Sequence, residues 1–209
     1  DTRPQVILRA LDETGLEFRW NGQLPQHYNS SAMVHRMIVA QETTVCAEGV
    51  VDTTGGDIVI HTGTVIHPGA IIKAASGPVH IGENCVIEEG VTIINDGDSG
   101  AALVIGNNCL LEFGSHVGSE CVLGDGVVLE CKAKVAAHCQ LGHNVCVGAA
   151  CAVAKGDTLP DNTAVYGKEC YRRTMHQSVV ALRQSTLTGL LLFLRTQLPK
   201  GNNIRPATD

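Results

Sequence analysis

From Ile105 to Val153 an aliphatic residue occupies every sixth position: Ile105, Leu111, Val117, Leu123, Leu129, Val135, Leu141, Val147 and Val153. Neither a helical period nor a continuous strand alternation produces that spacing. A period of six requires a chain that turns by the same angle after each short strand, so that each hexad becomes one wall of a prism. Three walls close a coil, and like positions of successive coils lie above one another. The same phase continues toward the N-terminus at Val39, Val45 and Val51, then Ile60, Ile66 and Ile72, then Ile81, Ile87 and Ile93. With coils starting at 39, 60, 81, 105, 123 and 141, the three extra insertions all fall at one corner, between the third wall and the next coil. That agreement predicts about six coils of a parallel β-helix.

Two further columns fit the prism. Four residues after each aliphatic stands a small or slender residue, among them Thr64, Ala70, Cys85, Cys109, Ser115, Cys121, Ala133, Cys139 and Cys151. This second inward position sits at a corner where a large side chain has no room. One residue earlier Gly or Asn is frequent, as at Gly63, Gly69, Asn84, Gly90, Asn108, Gly114, Gly126, Asn144 and Gly156. These residues accept the positive φ that a tight corner demands.

The coils occupy 37–165. Residues 1–36 carry no hexad phase and read as a poorly ordered or atypical N-terminal extension. In the C-terminal segment 166–209, the stretch 176–198 is expected to be helical, with Val179, Leu182, Leu187, Leu190, Leu191, Leu194 and Leu198 along one apolar face. Gly189 weakens that helix by about 1 kcal/mol relative to Ala. Leu192 and Phe193 widen the stripe beyond one packing surface, which hints at contact on two sides.

Composition adds a few exclusions. Aromatic residues are 3% of the chain, so the core must be layered aliphatics. Five of the nine cysteines fall in the small inward column, where a thiol is a compact filler. No C-x-x-C occurs, which removes paired zinc knuckles, and reduced thiols fit a cytoplasmic setting. The apolar run 190–194 is too short to span a bilayer. Residues 37–159 hold four Lys against fourteen acids, whereas 160–209 hold seven Lys and Arg against three. An acidic prism repels phosphates, so nucleic acid is not an expected partner. The basic tail can fold back onto its own acidic wall or be offered to another protein.

Hexapeptide β-helices host two enzyme groups, acyltransferases and γ-class carbonic anhydrases. His138 and His143 have the five-residue spacing of two zinc ligands in the anhydrases, but both are shifted in hexad phase. The early Arg-Gly-Asp element of that family is degraded here to Thr54-Gly55-Gly56-Asp57. His61 and His67 share a column on adjacent walls and so point apart. For acyl transfer, His116 stands in a loosely similar setting, yet the coils offer only Lys73, Lys132, Lys134 and Lys155 to a polyanionic coenzyme. No catalytic, metal or cofactor-binding residue is assigned, and no cofactor is expected.

On the second wall the position after the aliphatic points outward and stacks Glu88, Glu112 and Glu130 at about 4.8 Å. Like charges in register are mildly destabilising, though screened. The ladder is either tolerated by solvation or is a negative strip for basic side chains of a partner.

One resemblance is more specific. The run Thr64-Val65-Ile66-His67-Pro68-Gly69-Ala70-Ile71-Ile72, then Gly77-Pro78-Val79-His80-Ile81-Gly82-Glu83 and Val86-Ile87-Glu88-Glu89, resembles the dynactin subunit 6 family. So does the close of the prism, Leu159-Pro160-Asp161-Asn162-Thr163-Ala164-Val165-Tyr166-Gly167, with Cys170-Tyr171-Arg172-Arg173. The likeness covers about 40–180 and departs in 1–36 and in a shorter acidic insertion over 96–101. It implies a left-handed coil, whereas ordinary parallel crossovers are right-handed. It also implies a non-catalytic structural subunit of the dynactin pointed-end complex, supporting dynein-based transport and cargo targeting along microtubules. The implied partners are dynactin subunit 5, as a heterodimer, an actin-related protein, a zinc-motif subunit and, indirectly, dynein. The implied setting is cytoplasmic and cytoskeleton-associated. Expected partner-facing residues are the ladder Glu88, Glu112 and Glu130, the approach Tyr171, Arg172 and Arg173, and the helix residues Leu187, Leu190, Leu191 and Leu194.

Overall fold

A computed structural model describes Arg9–Leu11, Glu17–Arg19 and residues 35–208. The rest of the extension expected over 1–36 lies outside the described residues. The chain divides into two units, Asp1–Val34 and His35–Asp209. In the first, Arg9–Leu11 and Glu17–Arg19 pair antiparallel.

The second unit is a left-handed parallel β-helix with one C-terminal helix. Its first wall stacks seven strands from Met37–Val39 to Thr158–Leu159. The second stacks eight, from Thr44–Val45 to Tyr171–Thr174, the last of them antiparallel. The third stacks six, from Val50–Asp52 to Ala152–Val153. Register follows the aliphatic column without a slip. Ile105 lies over Leu123, Leu141 and Leu159; Leu111 over Leu129, Val147 and Val165; Val117 over Val135 and Val153. These rungs point to the axis and form one continuous buried core. Each fully buried Leu or Ile contributes about 1.5–3 kcal/mol.

The corners explain the other columns. All ten Gly and Asn of the turn column, Asn162 included, have φ between +54° and +74°. Glu42, Glu120, Lys132, His138 and Ala150 fill the same turn position with positive φ as well. Here the winding imposes the left-handed conformation on residues that do not favour it. The small inward column is buried throughout, and its thiols do more than fill space. Cys85 donates to Gly106 O (3.1 Å), Cys109 to Gly124 O (3.3 Å), Cys121 to Ala136 O and Cys139 to Ala154 O (both 3.0 Å). Each thiol ties its corner to the next coil, and burial pushes the Cys121 thiol up to about 12.

The three insertions stack on one another at a single corner. Gly55 and Gly56 face the backbone of 75–78, and Gly77 faces Ala101. Buried Asn95 pins them: its amide donates to Pro78 O and Ala101 O (both 2.9 Å), and its carbonyl accepts from Glu120 N (3.1 Å).

Candidate interaction surfaces

On the second wall the residue preceding each rung points outward, and that column is apolar over six coils: Val65, Val86, Leu110, Val128, Cys146 and Ala164. An exposed apolar column of that length has to be covered. Helix Gln177–Gly201 covers it. Leu187, Leu191 and Leu194 are buried with Val65 and Val86, and partly buried Leu190 and Leu198 flank them. Toward the other end Met175 and Val180 pack on Val128, Cys146 and Ala164. The four helix residues expected to face a partner thus face the chain's own prism. A neighbour reaching this helix meets Val179, Leu182, Leu192 and Phe193 instead.

Polar contacts fix the helix along its length. Arg183 donates to Glu130 (3.2 Å) and to the Cys146 sulfur (2.8 Å). Arg195 donates to Gly63 O and, at 2.8 Å, to Asn84 Oδ1. The helix continues past Pro199, and Asn202 closes it with N–H to Leu198 O (3.1 Å). The tail then crosses the first coil: Ala47 N donates to Asn203 O (2.7 Å), Arg205 N to Val45 O (2.8 Å) and Thr208 N to Val39 O (3.1 Å). It thereby pairs backbone groups of the first coil that would otherwise form an open edge. Part of the basic tail folds back onto the prism, with Arg172 on Asp157 and Arg183 on Glu130.

The glutamate ladder also has work within the chain. Glu88 accepts from Phe113 N (2.8 Å), Glu112 from Cys131 N (3.1 Å) and Glu130 from Ala149 N (3.0 Å). Each carboxylate takes a turn N–H of the next coil, which offsets the repulsion of stacked charges. Replacing Glu88 or Glu112 with Ala should therefore cost about 1 kcal/mol each, and Gln, which keeps an acceptor, should cost less. Urea unfolding midpoints of the four variants check this; equal losses for Ala and Gln would contradict it.

Strand Tyr171–Thr174 is exposed along its whole length. Tyr166 and Tyr171 lie with ring centroids 6.2 Å apart, and the Arg173 guanidinium sits 5.2 Å from the Tyr166 ring. Arg172 is engaged with Asp157, so Tyr171 and Arg173 are the more available of the three approach residues.

His138 faces Glu120 at 3.1 Å, while His143 Nδ1 accepts from Asp125 N at 3.0 Å. Nε2 of His61 and of His67 is enclosed without a hydrogen-bond partner. Among the described residues no group of three His, Cys, Asp or Glu is placed to hold a metal ion. Burial holds His61, His67, His80 and His116 below the ordinary imidazole value. The folded state therefore resists their protonation. Stability is full above about pH 6.5 and declines as pH falls toward the lowered folded values, because the unfolded chain takes up protons first. Thermal melts between pH 7 and pH 5 should show falling Tm, and His80→Gln should flatten the slope. An unchanged slope would contradict the assignment.

Fold and surfaces together define a hexapeptide-repeat β-helix protein with a clamped terminal helix. No protein-family model matches the chain. Dynactin subunit 6 of Nematostella vectensis is 34% identical over 184 residues, covering 75% of this chain and 89% of that protein. The chain belongs to the dynactin subunit 6 family. A shorter likeness, 44% over 77 residues, links it to the acyl-carrier-protein-dependent UDP-N-acetylglucosamine O-acyltransferase of Sinorhizobium fredii, covering 32% of this chain and 28% of that one. Among solved structures, a Bacillus cereus protein described as an acetyltransferase superposes with a TM-score of 0.62 at 14% identity, over 78% of this chain and 97% of that chain. At that identity the likeness concerns the fold alone. Among the described residues no helix is long and apolar enough to cross a membrane.

Proposed function

We propose that this chain is a non-catalytic structural subunit of dynactin, cytoplasmic and cytoskeleton-associated. It pairs there with the related β-helical subunit 5 at the pointed end, beside an actin-related protein, and serves dynein-based transport indirectly. The observation that carries this reading is membership of the dynactin subunit 6 family along most of both chains. The fold supports it: charged side chains such as Glu88, Glu112, Glu130, Arg183 and Arg195 are engaged in holding coils and helix together. A stiff prism of that kind suits a spacer that displays surfaces. Tyr171 and Arg173, on the exposed edge strand, are the partner-facing residues we favour. Affinity capture of the tagged full chain from cells tests the reading. Recovery of the other dynactin subunits in constant ratio supports it, and their absence contradicts it.

The 77-residue acyltransferase likeness favours a second reading. His116 lies on the third wall between Thr92 and Lys134, and calorimetry with acetyl-coenzyme A decides the matter. Saturable binding supports transfer chemistry, and heat of dilution alone removes it.

A further inference from the structure

We propose that Cys151 and Cys170 form a reversible disulfide, a peroxide-sensitive clasp that fastens the hairpin turn 167–170 to the sixth coil. Cys151 belongs to the small inward column and is 2% exposed. Cys170 ends the turn between strands Thr163–Tyr166 and Tyr171–Thr174, packs on the end of the core and is partly exposed. Each sulfur reaches the other's backbone segment. Cys151 Sγ donates to Gly167 O (3.4 Å), and Cys170 Sγ accepts from Ala152 N (3.3 Å). The two thiols also hydrogen-bond to each other. Cys170 holds a φ of +53°, a left-handed conformation that Gly or Asn adopts at less cost, so turn geometry does not explain a cysteine there.

Access singles out this pair. Cys85 adjoins Cys109 and Cys121 adjoins Cys139, but all four are 0% exposed, beyond reach of an oxidant in solution. Cys131 is exposed, yet its thiol donates to Glu112 (3.3 Å) rather than meeting a second sulfur. That hydrogen bond pushes the Cys131 thiol up and leaves it less of the reactive thiolate. Among the described residues, Cys170 alone combines access to solvent with a neighbouring thiol.

The oxidant is hydrogen peroxide or another hydroperoxide. The Cys170 thiolate attacks a peroxide oxygen, the O–O bond breaks, and hydroxide leaves and is protonated to water. Cys170 is then a sulfenic acid. Burial, and next the neighbouring Cys170, push the Cys151 thiol up in the reduced chain. An uncharged sulfenic acid at Cys170 no longer opposes ionisation of Cys151. The Cys151 sulfur attacks the Cys170 sulfur, the S–O bond breaks, and hydroxide leaves with the Cys151 proton as a second water. Two thiols and one peroxide give one disulfide and two waters, with two electrons passing from sulfur to oxygen. Two small thiols of the glutathione class reverse the bond through a mixed disulfide, so in a reducing compartment it is transient. While it lasts, strand Tyr171–Thr174, otherwise paired only with Thr163–Tyr166, is tied to the coil beneath.

The test treats the purified, reduced full chain with a few equivalents of hydrogen peroxide, blocks remaining thiols and reads mass. The expected product is an intact monomer lighter by two hydrogens. Trypsin should then leave Glu169–Arg172 bonded to the peptide 135–155, which holds Cys139, Cys146 and Cys151. Cys151→Ala and Cys170→Ser should each abolish that link, and reduced glutathione should reverse it in the parent. The oxidised chain should melt roughly 6–12 °C higher, as expected for closing a loop of this length. Its amides over Tyr171–Thr174 should exchange at least about tenfold more slowly. A link that survives Cys151→Ala overturns the proposal, as does a disulfide confined to Cys85–Cys109 or Cys121–Cys139. Sulfinic acid at Cys170 without a disulfide also overturns it. So does a linked chain whose Tm and exchange match the reduced one. The experiment uses one purified chain, so its failure leaves the dynactin assignment standing.

Discussion

Leu191→Asp combined with Leu194→Asp is expected to release the terminal helix from the second wall. Both side chains are buried against Val65 and Val86, and each contributes about 1.5–3 kcal/mol by leaving water. Two carboxylates there meet no cation: Arg183 and Arg195 are already bound to Glu130 and to Gly63 O with Asn84. An unpaired buried charge costs several kcal/mol, so undocking is the cheaper outcome. The expected loss exceeds about 4 kcal/mol, with gain of dye binding at the uncovered column and a Tm lower by roughly 8–16 °C for a domain of this size. The adjacent Leu192→Asp is the control. That side chain is 73% exposed, so its Tm should stay within about 1 °C of the parent. Equal losses in the two variants would contradict the docking direction.

The second large effect sits at the insertion corner. A Cβ on Gly55 would lie 1.9 Å from Ala75 O and 2.3 Å from Ala75 C, atoms of the coil above that cannot rotate away. Gly55→Ala must therefore part the coils locally. The expected cost is about 3 kcal/mol, at the upper end for overpacking, or roughly 6–12 °C in Tm. A melt within about 1 °C of the parent would show that the insertions do not stack.

Much of this architecture could be read from the chain because its constraint is local and repeated. The rungs, the turn column and the shared insertion corner each depend on spacing within a coil or two, and the strand register follows them without exception. The helix docking site was equally present in the sequence, as the apolar column Val65, Val86, Leu110, Val128, Cys146 and Ala164. The hexad pattern does not single it out, because the outward position on the other side of each rung, the one holding Glu88, Glu112 and Glu130, carries the more conspicuous charge. That position suggested a partner strip, although each carboxylate serves a turn N–H one coil away, a contact that charge counting does not reveal. The apolar stripe of the helix combined two faces, and spacing alone did not say which face the prism takes. The tail crossing the first coil joins residues such as Val39 and Thr208 that are 169 apart in sequence, and no local pattern signals it.

Amide hydrogen exchange of the purified chain tests the wound column most directly. Leu110, Glu112, Val128 and Glu130 N–H groups each donate to the next coil at 2.8–2.9 Å beneath or beside the docked helix. They are expected to exchange only through global opening, far more slowly than amides of the exposed strand Tyr171–Thr174. Rapid exchange at those four positions, while the protein remains folded, would contradict the stacked prism.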